Sequence, residues 1–217
     1  MMIHGDPEFV LTLHSVIEFI GTFAFALSGI RLAASKHYDW LGGFVCGVAV
    51  AIGGGTIRDV MLGVRPFWML SPIYLICTLF AQLVVIACHR YLKRLDNTWF
   101  LFDTLGLALF NIAGIQKSLE CGFSFWVAII MGCITGAAGG VIRDVLLNEE
   151  PVIFRKEIYA MACVVGGTFY WMCHLLGMES FVCQIVGGVT VFVTRILAVK
   201  YRICLPILSG NEEEQEM

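Results

Sequence analysis

The chain has 217 residues, 59% of them hydrophobic and 14% charged, with a mean hydropathy of +0.83 and a net charge of -3. Soluble domains carry nearer a quarter charged residues, so this composition is that of a membrane protein, and no basic patch with interleaved aromatics points to nucleic acid. The nine cysteines are scattered through apolar segments without CxxC spacing, which argues against a disulfide framework or a metal site.

Runs of about 20 apolar residues predict seven membrane-spanning helices. They lie near 11–33, 40–62, 69–89, 99–116, 123–147, 157–176 and 180–200. The first carries Glu18 and is preceded by Asp6 and Glu8 rather than by a basic region, so it is expected to stay as a span. The second contains Gly53, Gly54, Gly55 and Thr56, followed at once by Arg58 and Asp59. The fourth opens on Asp103 and Thr104 and holds Asn111, with Lys117 at its end as a snorkelling lysine. The fifth repeats the oddity of the second, with Gly139 and Gly140 before Arg143 and Asp144. Short connections leave no room for a soluble domain, so residues 1–217 read as a single transmembrane domain ending in an acidic, solvated tail over 210–217. The five histidines show no ligand spacing and read as interfacial.

Orientation follows from lysine and arginine. With the N-terminus outside, the inward loops hold Arg31 and Lys36; Arg90, Lys93 and Arg94; Arg143, Arg155 and Lys156; and Arg195, Lys200 and Arg202. These are 11 of the 14 basic residues, leaving Arg58, Arg65 and Lys117 outward. The expected topology is N-out and C-in, with Arg58 and Arg143 set apart as candidates for burial.

The chain also matches itself. A shift of 85 positions, without a gap, aligns Glu18 with Asp103, Gly21 with Gly106, Phe25 with Phe110 and Gly29 with Gly114. It goes on through Gly54-Gly55 with Gly139-Gly140, Ile57-Arg58-Asp59 with Ile142-Arg143-Asp144, Pro66 with Pro151, and Ile73-Tyr74 with Ile158-Tyr159. Each copy, about 11–89 and 99–176, holds three spans. An odd number reverses the second copy in the membrane, which predicts two inverted repeats plus a seventh helix.

Within hydrocarbon a broken helix survives only where protein or water satisfies its freed backbone groups. The glycines predict breaks in the second and fifth helices that meet near the midplane, with carbonyl ends facing cations and N–H ends facing anions. Gly-rich faces also pack membrane helices closely, and this reading suits Gly29, Gly106, Gly114, Gly132 and Gly136. Arg58 and Asp59 point about 100° apart on a helix, which predicts crossed pairs, Arg58 with Asp144 and Arg143 with Asp59. Such pairs either clamp the repeats together or border an ion path. Glu18 reads as an interfacial helix-start acid and Asp103 as the stronger pathway candidate.

The doubled GGxxRD signature, the proline after each copy and the seventh helix resemble the trimeric intracellular cation (TRIC) channels, most closely their prokaryotic members, also described as glycine-transporter-like membrane proteins. The resemblance covers about residues 11 to 202. It implies a homotrimer in the bacterial inner membrane, with one pathway per protomer passing K⁺ or Na⁺ as the permeant ion and no cofactor. It further implies a pathway lined by the glycine-bearing second and fifth helices, at Gly53, Gly54, Gly55, Gly139 and Gly140. The Lys-Glu-Val signature of animal members is absent. No filter-like TVGYG sequence is present, so weak selectivity among monovalent cations is expected. A secondary transporter of a small amino acid such as glycine fits the residues as well. An intramembrane enzyme does not, since HExxH, GxSxG and paired intramembrane aspartates are missing.

Overall fold

The computed structural model describes residues 13–88, 98–155 and 158–204. Arg90, Lys93, Arg94, Lys156 and the acidic tail fall outside these residues. Eight α-helices are present among them: α1 (Leu13–Ser35), α2 (Trp40–Met61), α3 (Phe67–Leu70), α4 (Ile73–Ala87), α5 (Thr98–Glu120), α6 (Phe125–Leu146), α7 (Ala160–Leu175) and α8 (Ser180–Lys200). A 3-10 turn, Val152–Phe154, stands between α6 and α7. Five helices (α1, α2, α5, α6 and α8) are long and apolar enough to cross a membrane, while α4 and α7 are shorter apolar helices. The chain is an all-helical integral membrane protein.

The third predicted span is not one run. Pro66 precedes α3 and Pro72 precedes α4, and proline's missing N–H and fixed φ make it a helix starter that cannot continue the helix before it. Residues 67–87 therefore form a one-turn helix and a separate 15-residue helix.

The internal repeat is visible in the backbone. Gly63 and Asn148, equivalent by the 85-residue shift, both sit at positive φ (71° and 53°). So do His37 and Gly122 (60° and 83°). Each closes a helix by the same backbone bond, Val64 N–H to Asp59 C=O in one copy and Glu149 N–H to Asp144 C=O in the other. Conformation has been kept at these turns where the residue type changed.

Equivalent helices of the two copies pack antiparallel. A Cβ on Gly21 of α1 would meet Phe110 at 3.2 Å, whereas four residues later Phe25 lies against Gly106, one turn back along α5. The Phe25 and Phe110 rings stack with centroids 5.3 Å apart. On α2, Val50 approaches Gly139 while Gly54 approaches Thr135, so α2 and α6 also run in opposite directions. The glycines permit backbone contact here: a methyl group on Gly54 would overlap the Thr135 carbonyl, and one on Gly139 would stand 2.7 Å from the Val50 carbonyl. The last helix, α8, packs against α7 through facing Gly166 and Gly187 and against α5 through Ile112.

Both glycine-bearing helices are continuous. Helical structure runs unbroken through Gly53–Gly55 in α2 and through Gly139-Gly140 in α6, which corrects the expectation of broken second and fifth helices. Intrahelical hydrogen bonds continue because each glycine is fixed by close packing. The helix propensity lost at three residues, about 1 kcal/mol each relative to alanine, is small beside the packing such contact allows.

Candidate functional site: two buried polar clusters

Arg58 and Arg143 lie in the last turns of α2 and α6 and are fully buried. A cation suits a helix C-terminus, but burial in an apolar bundle also demands specific counter-charges. Both arginines find them inside their own repeat. Arg58 Nε donates to Asp59 Oδ1 at 2.7 Å, and its Nη2 donates to Glu18 Oε1 at 3.2 Å. Arg143 Nε donates to Asp144 Oδ1 at 2.8 Å, while its Nη1 donates to Asp103 Oδ1 and to Ser28 Oγ.

The second carboxylate oxygen of each aspartate is occupied too. Asp59 Oδ2 accepts the Phe67 backbone N–H at 2.8 Å, and Asp144 Oδ2 accepts that of Val152 at 2.9 Å. These amides directly follow Pro66 and Pro151, so each aspartate ties its helix to the turn beyond it. A tyrosine completes each cluster: Tyr74 donates to Glu18 Oε2 at 3.0 Å and Tyr159 donates to Asp103 Oδ1 at 3.4 Å. Aromatic faces cover the guanidinium groups, Phe67 over Arg58 at 5.6 Å and Trp99 over Arg143 at 5.1 Å.

The predicted crossed pairing of Arg58 with Asp144 and Arg143 with Asp59 is therefore incorrect. Two physical facts explain it. The arginine side chain is long enough for its Nε to fold back onto the neighbouring carboxylate, which Cβ directions alone do not reveal. And α2 and α6 are antiparallel about the Gly54–Thr135 crossing, which sets Arg58 and Arg143 about 18 Å apart along the bundle at 1.5 Å per residue. The clusters sit toward opposite ends of the helix pair rather than meeting at the middle.

The remaining predicted residues divide by task. Gly54 and Gly139 serve the α2–α6 crossing, and Gly53 faces Ile142. Gly55 and Gly140 serve the clusters instead: a methyl group on Gly55 would overlap the Phe67 ring, and one on Gly140 would overlap the Tyr159 hydroxyl and stand 3.3 Å from Asp103 Oδ1. Thr56 bonds back to the Ile52 carbonyl and accepts the Trp68 indole N–H at 3.0 Å. Asp103, read as a pathway candidate, is fully buried.

Four participants were misread or missed. Glu18 is buried in the first cluster, not an interfacial acid. Arg195, counted among the loop cations, is fully buried in α8; it lies over the Phe100 and Tyr159 rings at 5.0 and 4.9 Å and donates to the Ile158 carbonyl at 3.3 Å. The tyrosines gave a signal in the sequence, since Tyr74 and Tyr159 match in the repeat. Arg195 gave one as well, standing inside an apolar run. Among the described residues, no group of three His, Cys, Asp or Glu side chains is placed to hold a metal ion.

The chain and its fold have relatives among known proteins. A family model described as "Glycine transporter" matches residues 15–90 and 100–175, the two repeats. The chain is 38% identical over 207 residues to a UPF0126 membrane protein of Vibrio cholerae, covering 93% of this chain and 86% of that protein. It is 36% identical over 200 residues to the UPF0126 inner membrane protein YadS of Escherichia coli, covering 90% and 96%. Its fold is similar to the TRIC trimeric intracellular cation channel orthologue from Rhodobacter sphaeroides, with a TM-score of 0.84 and 29% identity over 88% of this chain and all of that one. A second TRIC cation channel structure, solved to explain conductance, gives 0.81 and 31% identity over 92% of this chain and 99% of that one. The doubled glycine–arginine–aspartate signature thus sits in a chain that belongs to the family of prokaryotic TRIC channels and related glycine-transporter-like UPF0126 membrane proteins.

Proposed function

We propose that the protein is a passive channel for monovalent cations, chiefly K⁺, working as a homotrimer in the bacterial inner membrane with one pathway through each protomer. The observation that carries this reading is the pair of buried ionisable clusters at opposite ends of the antiparallel α2–α6 pair, in a fold shared with TRIC cation channels. Ionisable residues in a membrane are expensive and mark ion routes. In this reading the pathway runs alongside α2 and α6, past Gly53, Gly54, Gly55 and Thr56 on one repeat and Gly139, Gly140 and Asp103 on the other. The Glu18–Arg58–Asp59 and Asp103–Arg143–Asp144 clusters stand near its two mouths.

Carboxylates outnumber arginines in each of these triads, which favours cations, while the arginines hold the acids in place. No ring of dehydrating oxygens is built from these residues, so selectivity among monovalent cations is weak. The chain crosses the membrane seven times, α4 and α7 included, with the N-terminus outside, the C-terminus inside and the second repeat inverted relative to the first. It carries out no catalysis.

A second reading, transport of a small amino acid such as glycine, draws on the description of the matching family and on Arg58, whose Nη1 finds no hydrogen-bond partner among the described residues and would suit a carboxylate. Purified protein in liposomes separates the two. A channel gives unitary K⁺ currents under imposed cation gradients; saturable exchange of labelled glycine without such currents would replace the channel by the transporter.

A further inference from the structure

The two repeats differ at one corner. In the second repeat, the space between the α5–α6 turn and α7 is filled by rings: Phe125 lies 4.8 Å from His174, 6.1 Å from Trp171 and 6.4 Å from Tyr170. The equivalent positions of the first repeat include Trp40, Val85 and Ile86, and Gly167 is replaced by Gln82. Among the described residues that corner is open; His89, the equivalent of His174, lies outside them. A cavity of about 490 Å³, within the range of small-molecule sites, is lined by Ile30, His37, Tyr38, Asp39, Trp40 and Gln82. The fold does not require an opening here, since the second copy closes it.

The lining sets two oxygen acceptors, from Gln82 and Asp39, beside the imidazole of His37. Gln82 is only 7% exposed, and its Nε2 donates to the Trp40 carbonyl at 2.7 Å, which fixes Oε1 as the free end. That Oε1 is buried and has no hydrogen-bond partner among the described residues. Gly43 keeps space in front of it, since a Cβ there would stand 3.7 Å away. Asp39 uses one carboxylate oxygen to cap α2, accepting the Gly42 N–H at 2.6 Å, and brings a negative charge to the cavity wall. The Tyr38 hydroxyl is turned away, donating to the Leu146 carbonyl. A ligand entering the cavity thus meets an amide oxygen, a carboxylate, the His37 imidazole and two further aromatic side chains. These are recognition elements for a cationic N–H donor. Lys36, whose own ammonium lies closest in sequence, is paired with Glu149 instead.

We propose that this cavity binds a primary ammonium group, supplied by a small soluble amine or by an ethanolamine headgroup at the membrane boundary, where Tyr38 and Trp40 are placed to lie. Binding here does not rest on the channel reading.

The test uses the purified full-length chain, with ethanolamine and its uncharged N-acetyl derivative as soluble probes, and nanodiscs of phosphatidylethanolamine or phosphatidylglycerol as lipid probes. Saturable binding of ethanolamine by calorimetry, with N-acetylethanolamine inert, is expected for a soluble ligand. A selective rise in thermal stability in phosphatidylethanolamine, with free ethanolamine inert, identifies the headgroup. Asp39→Asn keeps the helix cap but removes the charge, and Gly43→Ala places a methyl group before Gln82 Oε1; each weakens binding about tenfold, as loss of one charge-assisted or buried hydrogen bond does. Neither probe pair being discriminated, or both variants binding like the wild type, overturns the proposal.

Discussion

Asp59 accepts the backbone N–H of Phe67 at 2.8 Å, and 85 residues later Asp144 accepts that of Val152 at 2.9 Å. Each aspartate therefore serves two masters, the buried guanidinium beside it and the first free amide after a proline. Asp59→Ala or Asp144→Ala removes one of the two carboxylates that face each buried arginine and leaves an unsatisfied N–H, and is expected to cost about 3–5 kcal/mol. Asp59→Asn, which retains an acceptor for Phe67 but no charge, falls between wild type and alanine. Thermal unfolding followed by size-exclusion chromatography in detergent measures the series.

Charge pairing within each repeat predicts which double substitutions rescue one another. Glu18→Gln combined with Arg58→Met is less damaging than the sum of the two, with a coupling of about 0.5–3 kcal/mol, as for residues in direct contact. Arg58→Asp combined with Asp144→Arg recovers nothing, because the two sites lie toward opposite ends of α2 and α6. A double-mutant cycle on thermal stability reads both.

Substitutions of glycine are expected to split by contact. Gly54→Ala pushes a methyl group into the Thr135 carbonyl and costs about 1–3 kcal/mol by overpacking. Gly188→Ala, on the last helix, meets only Ile112 at 3.6 Å and is tolerated or slightly stabilising, given the better helix propensity of alanine. Melting temperatures of the two variants separate crossing-point glycine from incidental glycine.

Outside the membrane-spanning segments, Glu149 pairs with Lys36 and reaches Arg155 at 3.7 Å. The hydrogen bond and charge of Lys36, with a smaller effect of Arg155, hold its carboxyl below the ordinary value of 4.5. A depressed folded-state pKa contributes stability that is present above the unfolded value and lost as pH falls through the folded one. The difference in melting temperature between wild type and Glu149→Gln is therefore expected to persist at neutral pH and vanish as pH drops below about 4.5. It shrinks with added salt, because the pair is exposed.

Arg195→Lys keeps the charge of α8 but loses the planar face laid against Phe100 and Tyr159. A loss of about 0.5–2 kcal/mol is expected from the stacking alone, measured by the same unfolding assay.

Much of this molecule is legible in its sequence. Apolar run length gives the long helices, because hydrocarbon thickness sets how many residues a crossing needs. The 85-residue self-match gives the repeat, and with it the pairing of Glu18 with Asp103 and of Tyr74 with Tyr159 as equivalent positions. Burial of Arg58 and Arg143 follows from charge placed inside apolar helices. The partners of those arginines were decided only by tertiary structure. An adjacent Arg-Asp pair diverges at Cβ, and whether the guanidinium turns back or across depends on which end of the bundle it occupies, a matter of helix direction and crossing register. Gly53–Gly55 were likewise ambiguous in sequence, since the same glycines permit either a break or a close approach. Contact between α2 and α6 settled it: their backbones meet at Gly54 and Gly139, and close packing keeps both helices whole.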